Sequence, residues 1–262
     1  STSFSKDYNK VKNDPDAQTY DYLDFLNGTV VVKDKAVNTF YSYKFIGLSP
    51  LSGGPVFDDY EERQHELDGL SKYETFKKVL TASGRREPYM SGNLTTNLSY
   101  KNIRLSGTFA YSLGAKVRLF QMYRSELIAP ESNLRRELLD RWQNPGDEKH
   151  TNIPAVIGRY EPYYFTYNEH WSQTSYYNVQ PFASSLWNMY DYSDLRVVSG
   201  NYLKCNNLMV TYEFGERILS QLRMTRLALS LSGTNLFTIS SKKLKGQTPT
   251  QGFTEVSLSD RP

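Results

Sequence analysis

The chain alternates between stretches with a strict two-residue period and stretches with none. In Ile103–Gly114, every second residue from Ile103 is Ile, Leu, Gly, Phe, Tyr, Leu. The residues between them are Arg, Ser, Thr, Ala, Ser, Gly. A period of two puts alternate side chains on opposite faces of an extended backbone, so this segment predicts a β-strand. Met90–Tyr100 precedes it across only Lys101 and Asn102, which predicts a tight hairpin. Thr225–Ile239 repeats the pattern, with Leu227, Leu229, Leu231 and Gly233 set against Ala228, Ser230, Ser232 and Thr234. Tyr202–Phe214 places Leu208, Val210, Tyr212 and Phe214 on one face and Met209, Thr211 and Glu213 on the other. Ser1–Val11, Ala36–Leu48 and Val256–Ser259 complete a reading of six or seven strands. Most are long enough to cross a bilayer when tilted, which takes about 9–11 residues.

Periodicity alone does not say whether the apolar face meets a protein core or lipid. The connections carry more information. Tyr100 and Ile103 are joined by a minimal turn, and GERILSQLRM is short. Between Gly114 and Tyr202 lie 87 residues, and SSKKLKGQTPTQGFTE is again longer. Short turns at one end and long loops at the other is the pattern of an outer-membrane barrel. The polar-facing positions are mostly Ser, Thr and Ala, which suit a lumen or a plug-facing wall. A half-buried antiparallel sheet of a soluble domain shows the same alternation. Tyr100, Tyr212 and Phe214 fall at the short-turn ends, Tyr111 and Phe237 at the long-loop ends, an arrangement of two aromatic girdles.

Composition narrows the classes. The 262 residues have a mean hydropathy of -0.60, and no run of about 18 apolar residues exists, which excludes a transmembrane helix. A lipid-facing barrel is compatible, because its strands are half polar. Cys205 is the one cysteine, so no internal disulfide forms, and simple parity puts it on the face of Leu203 and Asn207. A net charge of +3 from 31 cations and 28 anions is too balanced to argue for nucleic acid. No leader pattern opens the chain. STSFSKDYNKVKND already reads as a strand running into a polar turn, as in a chain cut from something longer.

Catalytic chemistry finds little support. Asp58, Asp59, Glu61 and Glu62 cluster in VFDDYEER, but their spacing matches no EF-hand loop. His65, His150 and His170 lie far apart without an HxxxH spacing. Neither a G-x-S-x-G elbow nor a phosphate loop is present, so the expectation is a protein that is not an enzyme. The long insert, about 115–200, opens with a helix signal: Ser132 as cap, and Leu134, Leu138 and Trp142 on one face. Its later part is rich in rings. Trp171, Tyr176, Tyr177, Trp187, Tyr190 and Tyr192 can stack on sugars or line a peptide cleft; they can equally pack the loop against itself or against a lid protein.

Several stretches resemble one family. Tyr202–Tyr212 (YLKCNNLMVTY) resembles the YLRLKNVTLGY motif of the SusC/RagA family, the TonB-dependent outer-membrane transporters of Bacteroidetes. Ser232–Thr238 (SGTNLFT) is similar to its SGxNLFT segment. Arg141–Asp147 (RWQNPGD) with Asn152-Ile153-Pro154 is similar to its RWxxPGD…xIP loop, and Phe40–Leu48 (FYSYKFIGL) to its FYGYKFxGL strand. Lys204 stands for the usual Arg and Cys205 for the usual Leu. The family's plug, TonB box and terminal strand have no counterpart here. The resemblance implies an all-β fold, an antiparallel segment of a transmembrane β-barrel of about 22 strands with long extracellular loops. Residues 1–262 would form the C-terminal part of that barrel domain, unable to close alone. It further implies import of oligosaccharides or oligopeptides across a Gram-negative outer membrane. The implied partners are the N-terminal barrel and plug, a SusD-like surface lipoprotein, TonB and membrane lipid, with no cofactor. Two rivals come from the residues themselves: a soluble carbohydrate-binding β-sandwich, and a glycoside hydrolase built on Asp58–Glu62.

Overall fold

A computed structural model of the chain describes residues 1–13, 19–58, 60–122, 135–156 and 186–250. Its strands are β1 (Thr2–Lys6), β2 (Thr39–Ser42), β3 (Phe45–Leu48), β4 (Pro55–Phe57), β5 (Thr81–Arg85) and β6 (Met90–Tyr100). They continue with β7 (Ile103–Leu113), β8 (Lys116–Arg118), β9 (Val197–Ser199), β10 (Tyr202–Glu213) and β11 (Ala228–Ser240). The α-helices are α1 (Tyr22–Asn27), α2 (Lys72–Val79), α3 (Leu186–Asp191) and α4 (Glu216–Leu222). None of them is long and apolar enough to cross a membrane. The chain divides into two units.

The first unit, residues 1–8, 87–116 and 199–250, is a five-stranded antiparallel sheet in the order β1-β6-β7-β10-β11. The β6–β7 hairpin closes on Lys101 at φ 52 and Asn102. The Asn102 side-chain amide donates to the Glu213 carbonyl at 2.8 Å, tying the turn to the end of β10. Register lines the side chains up in rows. Leu94, Phe109, Cys205 and Phe237 form one; Leu98, Leu105, Val210 and Leu231 another; Tyr100, Ile103, Tyr212 and Leu229 a third. The other face carries rows such as Asn97, Ser106, Met209 and Ser232. The β6–β7 and β10–β11 connections leave one end of the sheet. Those that follow β1 and β7 leave the other end, and both are long.

Sequence parity fails at one place in this sheet. The ladder slips between Cys205 and Asn207, a bulge that adds one residue to β10 relative to β7. Cys205 therefore shares the face of Leu203, Leu208 and Val210, and Asn207 goes to the opposite face with Thr108. Without the bulge, Leu203 and Leu208 could not face the same way. In β11, Asn235 adopts φ 51 beside the same irregularity.

Other expectations change as well. Ser1–Val11 shortens to β1, and the connection GERILSQLRM contains α4. Ala36–Leu48 is not one wall strand. It is β2 and β3, which pair with β5 and β4 in two separate two-stranded sheets of the second unit. All four residues of β2 are buried, so β2 has no outward face. The insert's predicted helix is, in its described part, a 3-10 turn over Arg136–Asp140; Ser132 and Leu134 lie outside the described residues, as does Val256–Ser259.

The second unit gathers residues 9–86 and 117–198 around one aromatic core. Capping boxes start its two clearest helices: Asp21 with Asp24 for α1, and Ser71 with Glu74 for α2. Gly28 at φ 74 closes α1 in the left-handed conformation. Phe25 packs edge-on against Tyr41 and Phe76, with ring centroids 5.2 and 5.7 Å apart. Tyr43 and Phe45 both meet Phe57 at about 6 Å. The described part of the insert after Gly114 therefore shares its core with the segment that follows β1.

Candidate membrane interface and loop core

The apolar rows of the sheet stand in the open. Phe4 is 72% exposed, Leu98 60%, Leu229 67%, Leu231 78% and Ile239 60%. Soluble proteins rarely leave contiguous apolar patches of this extent without a partner. β6 and β7 have 11 residues each. At about 3.4 Å per residue each is roughly 36 Å long. A tilt of about 40° leaves a height of about 27 Å, matching the apolar band of an outer-membrane barrel. Tyr100 and Tyr212 end the rows at the short-turn side, and Tyr111 and Phe237 lie towards the other end.

Two glycines shape this face. A Cβ on Gly92 would collide with the Ser3 carbonyl and lie 2.7 Å from the Tyr111 hydroxyl, so β1 and Tyr111 together fill the space beside Gly92. A Cβ on Gly107 would meet Leu208 and Phe109 at 3.1 and 3.2 Å. Cys205 is fully buried in a row flanked by Phe109 and Phe237, and its thiol lies 3.7 Å from the Asn207 carbonyl. The polar face holds small side chains, a Thr211–Ser230 hydroxyl pair at 2.9 Å, and Glu213 bridging Arg226 at 2.9 Å and Arg104 at 3.8 Å.

The loop unit holds a polar network that periodicity does not reveal. Arg196, 3% exposed, pairs with Glu137 at 3.0 Å and donates to the Phe120 carbonyl at 2.6 Å. Its Nε lies 3.9 Å from Asp191 Oδ1, which accepts from the Met122 amide at 2.8 Å. Burial pushes the Glu137 carboxyl up, but Arg196 and Arg135 outweigh it and hold it below the usual carboxylate range. Arg118 donates to the Tyr41 carbonyl at 2.8 Å and Ser42 Oγ at 2.9 Å, with its guanidinium 4.6 Å from the Tyr192 ring centroid. Burial brings the Arg118 guanidinium down to about 10, so it remains charged at neutral pH. These four residues came from no motif; the only sequence trace is the pairing of Asp191 with Arg196 inside an aromatic stretch.

Of the six ring residues expected to contact substrate or lid, Tyr190 and Tyr192 have described side chains. Tyr190 is 1% exposed, meets Phe45 edge-on at 6.1 Å and donates to the Asn152 carbonyl at 3.1 Å. Tyr192 is part-buried against Arg118. Both pack the loop unit. Trp187 belongs to α3, and Trp171, Tyr176 and Tyr177 lie outside the described residues.

In the acidic cluster, Asp58 is tied to neighbouring cations. Asp58 pairs with Arg63 and, at 3.2 Å, with Lys44. Burial raises its pKa, yet the two cations hold the carboxyl below its ordinary value. Asp59 lies outside the described residues. His65 and His150 are exposed on separate segments.

The RWQNPGD stretch acquires a physical role. Asp147 accepts from the amides of Gln143 and Asn144 at 3.0 and 2.9 Å, fixing the turn. Trp142 donates to Glu148 at 3.2 Å, and its ring lies over Gly53, where a Cβ would come within 2.7 Å of Trp142 Cγ. The Ala155 amide donates to the Gly53 carbonyl at 3.0 Å, so Ile153-Pro154 is held to the same glycine loop.

The fold is thus an open, two-faced antiparallel wall whose long connections fold into a separate unit. Solved structures of the RagAB peptide transporter contain this fold. One matches at 18% identity and a TM-score of 0.50 over 85% of this chain. The importer in its 'closed-closed' state matches at 17% and 0.51, and in its 'open-open' state at 18% and 0.52. The chain spans about a fifth of the length of the chains it matches, 21–22%. No protein-family model matches the sequence, and no curated protein matches it.

Proposed function

We propose that this chain is a wall segment and loop module of a SusC-like, TonB-dependent outer-membrane transporter. The observation that carries the reading is the exposed apolar face, continuous across five strands and backed by a face of small polar residues. A soluble β-sandwich buries such a face under a second sheet, whereas Leu229, Leu231 and Ile239 stay open. The motifs of Tyr202–Tyr212, Ser232–Thr238 and Arg141–Asp147 support the same reading, as does the likeness to the RagAB structures. In this reading β1 and β11 pair with further barrel strands. A plug and TonB energise transport, and a SusD-like lipoprotein closes over the loops. The cargo is an oligopeptide or an oligosaccharide, and no catalytic step falls to the chain.

Uptake tests this. Cells lacking the protein should lose growth on either oligopeptides or oligosaccharides as sole carbon source and regain it on complementation. Unchanged growth on both would refute import. Removing residues 166–183, which spares the buried Tyr190 and Tyr192, should reduce the amount of lipoprotein that co-purifies in detergent.

A further inference from the structure

We propose that the turn after β11 binds the phosphate of a membrane lipid headgroup; this rests on the lipid-facing reading of the sheet. Lys242, Lys243 and Lys245 place three ammonium groups in four positions, and no acidic residue occurs from Ile239 to Thr250. The turn is ordered rather than a loose tail. Ser241 Oγ accepts from the Lys243 amide at 3.2 Å, and the Gln247 amide donates to the Leu244 carbonyl at 2.9 Å. Leu244 and Gln247 are buried, which turns the three lysines outward; all three are exposed. Among the described residues none of them joins an ion pair.

Location selects the partner. Phe237 and Ile239 end the apolar rows of β11, and both are exposed. At most about 10 Å of extended chain separates Ile239 from Lys242, comparable to the depth of the polar headgroup layer. A lysine stem can lie along the apolar edge while its ammonium reaches that layer. Beside the turn is a recess of about 420 Å³ lined by apolar Ile239, Leu244 and Pro249 as well as by Ser240, Ser241 and Lys242. The Ser240 and Ser241 hydroxyls there supply neutral donors to a phosphate whose charge the lysines meet.

The test uses the protein purified from its membrane and inserted in nanodiscs. Phosphatidic acid and phosphatidylcholine compete for it, and bound lipid is counted by native mass spectrometry. Wild type should retain phosphatidic acid preferentially. K242Q/K243Q/K245Q should lose that preference by about fivefold per lysine, and K242R/K243R/K245R should keep it. Equal retention by wild type and the Gln variant overturns the proposal, as does displacement of the lipid by millimolar inorganic phosphate, which would make the turn a free-phosphate site. A bimane label on Leu231→Cys, quenched by brominated acyl chains, reports on the wall separately. Quenching with unchanged lipid preference refutes the headgroup site alone; absent quenching refutes the lipid-facing wall.

Discussion

Gly53 offers the sharpest test of how the loop unit is held together. It sits at φ 68, and a Cβ there would collide with the indole ring of Trp142. Gly53→Ala thus carries two costs. A left-handed conformation costs a residue with a Cβ about 1–2 kcal/mol. Forcing an atom into a filled site costs about 1–3 kcal/mol more. The sum, about 2–5 kcal/mol, is a large part of a typical domain's stability. Gly47 is the control: it has ordinary φ, and a Cβ there meets nothing within 4 Å. Gly47→Ala should be neutral or stabilise slightly, by up to about 1 kcal/mol. Urea unfolding followed by tryptophan fluorescence reads this directly, since all three tryptophans (Trp142, Trp171, Trp187) belong to the loop segments. If Gly53→Ala and Gly47→Ala unfold within about 0.5 kcal/mol of each other, the assigned role of Trp142 is wrong.

Two further outcomes follow from charges. Glu137→Gln removes the closer of the two carboxylates that face buried Arg196 and should destabilise the loop unit by about 3 kcal/mol in the same assay. Because the folded Glu137 carboxyl titrates below its ordinary 4.5, its contribution is complete above that pH and lost as pH falls through the lower folded value; the gap between wild type and Glu137→Gln should therefore close below about pH 4.5. On the sheet, Phe109→Arg should cost about 2–4 kcal/mol in lipid and deplete the heat-modifiable assembled form on gels. Arg104→Leu, on the other face, gives up only a 3.8 Å surface pair and should assemble normally.

The legibility of the sequence follows from how many faces each segment buries. β6 was readable to the residue and β7 to within one, because one face is apolar and the other polar, so the period of two is undisturbed. β10 was readable in extent but not in facing, because the bulge at Cys205–Asn207 changes parity without any glycine or proline to announce it. Phe40–Leu48 reads as a strand and forms two, but Phe40, Tyr41 and Tyr43 are buried within the loop unit, and an aromatic run gives no sign of where it is buried. Asp21-x-x-Asp24 and Ser71-x-x-Glu74 are visible cap signals for α1 and α2 that a strand-centred reading passes over. The Arg196–Glu137–Asp191 network joins residues up to 59 positions apart and has no local pattern at all. Of the six candidate contact rings, sequence could not separate Tyr190, which fills the core, from its neighbours, since both uses call for the same residue type.

The central claim is that one face of the sheet meets lipid and the other does not. Nitroxide labels placed singly from Ile103 to Leu113, in the protein reconstituted in bilayers, measure this by collision with oxygen and with a water-soluble nickel chelate. The account predicts a two-residue alternation. Positions 103, 105, 107, 109 and 111 should favour oxygen; 104, 106 and 108 should favour the chelate or be shielded from both. Equal chelate accessibility on both faces would contradict it, and would return the sheet to an aqueous protein.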